Sequence, residues 1–154
     1  MIRELSLNPH PEGGWYAEVF RSPQRVTPRD QRPDRAALTT IYFLLVQGQR
    51  SGLHRVLSDE AWHFHEGGPL RLVTCDPAFD QVDRITLGTW DATTRPTHVV
   101  PAGHWQAAEP LGDYTLVACT VGPGFDFADF SMLRDDAARA NDLRVRHADL
   151  APYL

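Results

Sequence analysis

Apolar residues along this chain come in short runs, separated by turn residues such as Gly, Pro, Asp and Ser. That pattern of short, bounded runs is the mark of strands. It predicts strands at Gly14–Arg21, Ala36–Val46, Gly52–Leu57, Glu60–Glu66 and Leu70–Cys75. Further strands are expected at Gln81–Leu87, Thr97–Val100, His104–Ala108 and Tyr114–Val121. Turn signals separate them: Gln47-Gly48, Ser58-Asp59, Gly67-Gly68-Pro69, Asp76-Pro77 and Leu111-Gly112-Asp113. Short strands repeating every 8–12 residues or so point to an all-β sandwich or barrel. Only Asp135–Leu143 reads as a helix, favoured by Ala137, Ala138 and Ala140, with short helical turns expected before Asn8 and near Leu150.

One segment breaks the pattern. Arg21 to Arg35 carries five arginines and three prolines with few apolar residues. It reads as a solvated loop whose charge Asp30 and Asp34 partly cancel, although Arg21, at a strand end, is placed to point into a site.

Composition narrows the chemistry. The 154 residues make one domain, 1–154, long enough to fold without disulfides or metal. All 15 basic residues are arginine, which excludes Schiff-base lysines, lysine-anchored PLP and a P-loop. A net charge of -5 is the wrong sign for a general nucleic-acid partner. Cys75 and Cys119 lack any Cys-x-x-Cys spacing and read as buried thiols of a reduced compartment. The longest apolar run, Ile41–Val46, falls far short of the ~20 residues of a membrane helix, and no signal peptide is visible, so a cytoplasmic protein without a membrane partner is expected.

The acids and histidines gather in Ser51–Gly67. Strand parity puts His54 and Val56 on one face, Glu60, Trp62 and Phe64 on one face of the next strand, and His63 and His65 on its other face. A tight Ser58-Asp59 turn would set the two strands side by side and bring His54 and Glu60 to a common point. A carboxylate beside an imidazole among aromatic side chains is an acid/base candidate, and equally a buried hydrogen bond that joins two strands. His10 and Glu12, around Pro11 and Gly13-Gly14, read either way as well: seating the first strand, or capping a turn.

These spacings resemble a known family. Gly48, His54, Val56, Glu60 and Gly67 are similar to the first cupin motif, G-x5-H-x-H-x3-E-x6-G, with Val56 in place of the second histidine. Pro101, Gly103 and Gln106 resemble the second, P-x-G-x-x-H, with Gln106 where the histidine belongs. Beyond the motifs, HPEGGWYAEVFRS (from His10), LTTIYFLL (from Leu38), SDEAWHFHEG (from Ser58) and GPGFDFADF (from Gly122) resemble a small family of single-domain, RmlC-like cupins.

That resemblance implies a double-stranded β-helix, the cupin jelly-roll barrel, over about residues 12–124. A C-terminal extension of about 125–154 would carry the short helix. It also implies a homodimer with one small-molecule pocket inside the barrel, and kinship with germins, seed-storage proteins and dTDP-sugar epimerases. Within such a pocket His54 and Glu60 are the expected catalytic pair, and Tyr42, Trp62, Phe64, His104 and Gln106 the expected ligand-binding side chains. Three functions are open on this reading. One is metal-free, epimerase- or isomerase-like proton transfer on a sugar-like or ring-containing metabolite. Another is a metal-dependent enzyme holding a weak divalent transition metal on His54, Glu60, His104 and Gln106, a reduced ligand set. The third is a ligand-binding or sensor module without catalysis. Phe125-Asp126-Phe127, after the Gly-Pro-Gly turn, is placed to clamp the barrel mouth.

Overall fold

The short apolar runs fold as strand in the computed structural model, which describes residues 1–154. In chain order the strands are β1 (Asn8–Pro9), β2 (Trp15–Arg21), β3 (Arg25–Val26), β4 (Arg35–Ala36) and β5 (Thr39–Val46). Then come β6 (Ser51–Val56), β7 (Asp59–Gly67), β8 (Leu70–Cys75) and β9 (Val82–Leu87). The last four are β10 (Thr97–Val100), β11 (Trp105–Pro110), β12 (Tyr114–Gly122) and β13 (Phe130–Met132). They form two facing antiparallel sheets, ordered β1-β2-β5-β12-β7-β10 and β13-β6-β11-β8-β9, with β3 and β4 as a separate pair. This is a jelly-roll barrel.

The sheet order corrects one expectation. β6 and β7 do not pair across the Ser58-Asp59 turn: β6 bonds to β11 and β13, and β7 to β12 and β10. The chain turns a corner there and crosses from one sheet to the other. His54 and Glu60 therefore line one cavity from opposite sheets and not as neighbours in one sheet, and the carboxyl group that His54 meets is that of Glu12.

Along β5 the inward positions pass from Thr39 and Ile41, which line a cavity, through Phe43 to Leu45 in the core. Leu45, Trp62, Leu72, Val117 and Ala108 fill that end of the barrel, while the other end stays open. The outer face of the second sheet is buried as well. Leu53, Val73, Trp105 and Ala107 pack there under Ala140 and Leu143 of helix α1 (Ala137–Arg146) and under Leu150 and Tyr153 of a final 3-10 turn. The helix starts two residues later than expected because Asp136 is its N-cap, its carboxylate accepting the Arg139 N–H at 3.1 Å.

The arginine segment is less free than its composition implies. Arg35 is buried and donates Nε and Nη2 to the two oxygens of Asp129 at 2.9 and 2.8 Å, and Arg32 reaches the same carboxylate at 2.8 Å. The neutralising acid is thus chiefly Asp129, about a hundred residues away, with Asp30 holding Arg32 from outside.

Candidate active site

The open end of the barrel is a cavity of about 380 Å³. Its walls come from β2, β5, β6, β7 and β12, and its rim from the segment after Gly124.

β2 contributes through an irregularity. Tyr16 and Glu18 face inward by simple alternation, opposite Phe43 and Ile41. The register then shifts between Glu18 and Phe20, leaving Val19 as an extra residue, so that Arg21, opposite Thr39, faces inward too. Arg21 donates Nε and Nη2 to the two oxygens of Glu18 at 3.0 and 2.6 Å, and Nη1 to the Phe125 carbonyl at 3.2 Å.

Glu12 enters from the turn before β2. Gly13 and Gly14 adopt φ of +109° and +73°, and a Cβ on Gly13 would lie 2.3 Å from the Arg50 carbonyl oxygen. Only glycine lets the turn press this close, and the Glu12 carbonyl then accepts the Gly52 N–H at 2.7 Å. The Glu12 side chain is buried, with Oε2 3.2 Å from His54 Nε2 and 3.3 Å from His10 Nδ1.

Proton positions follow from the partners. His54 Nδ1 lies 2.8 Å from the Gly52 carbonyl, which can only accept, so the ring carries its proton on Nδ1 and presents a bare Nε2 to Glu12. His10 Nδ1 accepts the Glu12 backbone N–H at 3.3 Å and is bare as well. Facing two lone pairs, Glu12 must itself bring a proton. Burial, then the nearby Glu60 carboxylate, push the Glu12 carboxyl well above its ordinary range, against a hydrogen bond from Ser51. Burial lowers both imidazoles to about 4. The Glu12–His54 contact is therefore a hydrogen bond between neutral groups.

Glu60 is held from behind. Trp62 Nε1, a donor only, bonds Gln106 Oε1 at 2.9 Å, which turns the Gln106 amide nitrogen onto Glu60 Oε2 at 2.5 Å. Burial raises the Glu60 carboxyl to about 7, against the Gln106 and Cys119 hydrogen bonds that favour its charge. Phe130, from β13, stacks on His54 with ring centroids 5.5 Å apart, and Phe125 and Phe127 pack edge-on beside it at the mouth.

Of the residues expected from sequence, His54, Glu60 and the apolar Val56 line the cavity, as do Arg21 and the Phe125-Asp126-Phe127 clamp. Gln106 and Trp62 lie behind Glu60 and do not line it, and Phe64 packs against the core beyond them. Tyr42 points out of the barrel, because Ile41 and Phe43 on either side point in, and it meets His65 edge to face. His104 is not a wall residue either: the chain is still in the turn closed by its N–H on the Pro101 carbonyl, and strand alternation starts only at Trp105. His63 turns away to Thr97. Glu12, His10, Glu18 and Phe130 complete the site. Alternation gives no signal for Glu12, since turns have no period; the Gly13-Gly14 pair after it is the one mark that the backbone approaches something closely there.

These residues do not fit a metallocupin centre. Val56 offers no ligand atom, His104 is elsewhere, and the one ligating atom of Gln106, its amide oxygen, is taken by the Trp62 indole.

No curated protein matches the chain. A hypothetical protein from Leishmania major is 32% identical, with a TM-score of 0.88 over 98% of this chain and 94% of that one. A structural-genomics protein from Shewanella oneidensis is 33% identical, with a TM-score of 0.87 over 99% of this chain and 93% of that one. Oxalate decarboxylase from Bacillus subtilis, 18% identical with a TM-score of 0.62 over 92% of this chain and 34% of that one, shares the fold alone. Residues 1–133 match the family described as Cupin superfamily (DUF985), so with its jelly-roll barrel and its cavity at the motif residues the chain is a member of the Cupin_5 family.

Proposed function

We propose that the barrel is the site of a metal-free proton transfer, of isomerase or epimerase type, on a small ring-containing metabolite. One observation carries this reading: two carboxyl groups of opposite readiness line a single cavity. Glu60, at about 7, is divided between acid and carboxylate near neutrality, whereas Glu12, held well above its ordinary range, stays a proton donor. Pairs of titratable groups pushed apart in this way divide into base and acid.

On an α-hydroxy carbonyl substrate, ionised Glu60 takes the proton from the hydroxyl-bearing carbon while Glu12 gives its proton to the carbonyl oxygen, and the enediol forms. Reversing both transfers returns the substrate with a solvent-exchanged hydrogen. Delivery of the Glu60 proton to the former carbonyl carbon, as Glu12 takes the proton of the other hydroxyl, gives the isomer and restores both carboxyl groups. His54 positions Glu12: its Nδ1–H is fixed on Gly52, and its Nε2 lies 3.2 Å from Glu12 Oε2. Gln106 and Trp62 fix the Glu60 oxygen in the same way.

The test is deuterium wash-in. Cyclic ketones, lactones and keto sugars incubated in heavy water lose their α-proton NMR signals only where proton exchange is catalysed. Wild-type protein should exchange at least one such compound, at a rate that rises with pH through about 7 as Glu60 ionises. Glu60→Gln and Glu12→Gln should each slow exchange by about 10²–10⁴-fold, the usual worth of a general acid or base, while melting cooperatively. Exchange absent from the wild type, or unchanged in both variants, overturns the reading.

A further inference from the structure

The charges around the cavity say which metabolites it takes, given that it is the proton-transfer site proposed above. We infer that Glu18, by occupying Arg21, sets the site for uncharged ring compounds and shuts out phosphorylated ones.

Arg21 is the one cationic side chain among the cavity's residues, because its two histidines are neutral and the chain has no lysine. A lone arginine at a cavity mouth would ordinarily be the seat of a phosphate or carboxylate, which its planar fork grips with two parallel bonds. Here three of the five guanidinium N–H groups are already taken and the charge is paired. Both oxygens of Glu18 take the Nε and Nη2 edge, and the Phe125 carbonyl takes Nη1. The bulge at Val19 is what makes this possible: without the extra residue, Glu18 and Arg21 would stand on opposite faces of β2 and the guanidinium would leave the cavity or stay unpaired.

Beyond this neutralised pair and the two neutral histidines, the cavity's charge-bearing side chains are acids. Asp126 stands at the mouth and Glu60 lies deeper, so an entering phosphate meets acids and an arginine whose charge Glu18 already balances. The rest of the wall is ring and hydrocarbon: Tyr16, Phe43, Phe125 and Phe130 offer faces and edges to a flat or chair-shaped molecule. A cavity of about 380 Å³ holds a single ring with its substituents, at the small end of the usual range of ligand sites. The substrate class is thus a free ring compound bearing hydroxyl or carbonyl groups, not a sugar phosphate or a sugar nucleotide.

The experiment frees the arginine. Inorganic phosphate and glucose 1-phosphate are titrated calorimetrically into the wild type, Glu18→Gln, and Glu18→Gln combined with Arg21→Gln. The wild type should show no saturable heat with either probe. Glu18→Gln should acquire saturable binding of both, at least tenfold tighter than any wild-type signal, and the double variant should lose it. Saturable binding by the wild type, no gain in Glu18→Gln, or a gain that survives loss of Arg21 each overturns the inference. The heavy-water exchange separates the two readings: exchange confined to phosphorylated substrates sinks the specificity but leaves the proton transfer standing, whereas no exchange with a normal phosphate titration does the opposite.

Discussion

At the scale of single residues, the site works by burying acids that would rather be in water, and that leaves a thermodynamic trace. Glu60 ionises near 4.5 in the unfolded chain and near 7 in the folded one. Below 4.5 both states hold the proton and the group contributes no difference. Between 4.5 and 7 the unfolded chain releases it while the folded protein keeps it, so raising the pH favours unfolding. By pH 7 and above the loss is on the order of 3 kcal/mol, from 1.36 kcal/mol per pH unit. Glu60→Gln removes the group and should therefore gain stability relative to the wild type as the pH rises from 4.5 to 8, read from urea midpoints at each pH. A constant difference across that range would mean that Glu60 is ionised at its ordinary pH. His54 and Glu60 were legible in the sequence because each stands on a strand at a motif spacing. Glu12 was not, because its position depends on a turn pressed onto β6, a contact that no local period encodes. Gln106 was legible as a position and not as a role: its role depends on the donor-only indole across the barrel.

At the scale of elements, irregularities do the positioning. The bulge at Val19 turns Arg21 inward, and the corner at Ser58 throws β6 and β7 into opposite sheets so that their inward residues face one another. Short runs bounded by turn residues read the strands well, and Leu70–Cys75 and Thr97–Val100 to the residue, but a bulge changes the parity by which their faces are assigned, and sheet partners leave no local mark. The rim is a second case. The 3-10 turn Phe127–Asp129 carries Phe127 on the cavity side and Asp129 on the other, where Arg35 and Arg32 clasp it. Asp129→Asn keeps the shape but leaves the buried Arg35 guanidinium without a counter-charge and Arg32 with Asp30 alone. Breaking a buried pair in this way costs about 3–5 kcal/mol. The variant should melt well below the wild type, and if it stays folded the rim aromatics should exchange faster in NMR line-shape measurements. A melting point unchanged from the wild type would mean that the arginine segment is held by other contacts.

At the scale of the molecule, the barrel has two buried faces on its second sheet, and only one of them is barrel interior. The family match ends at residue 133, yet the outer face carrying Leu53, Val73 and Trp105 is sealed by α1 and the final 3-10 turn, both beyond that point. The alanine run made α1 legible as a helix; its partner was not, because Leu53 and Val73 read as inward or outward strand positions with nothing to say that both directions are covered. The short strands β1, β3 and β13 escaped for a related reason, being two or three residues long and too brief to show a period. β13 matters most, since it bonds to β6 beside His54 and sets Phe130 on that ring. Residues 137–154 thus act as the second sheet's outer layer, and removing them should uncover Trp105, Leu53, Val73 and Leu133 together. An apolar patch of that kind on an open sheet drives association. A chain ending at Asp136 should lose its cooperative melting transition and bind a hydrophobic dye at room temperature, although no cavity residue has been touched. Should it instead melt like the full chain and remain dispersed in solution, the barrel would be stable on its interior core alone and the C-terminal helix only an ornament to it.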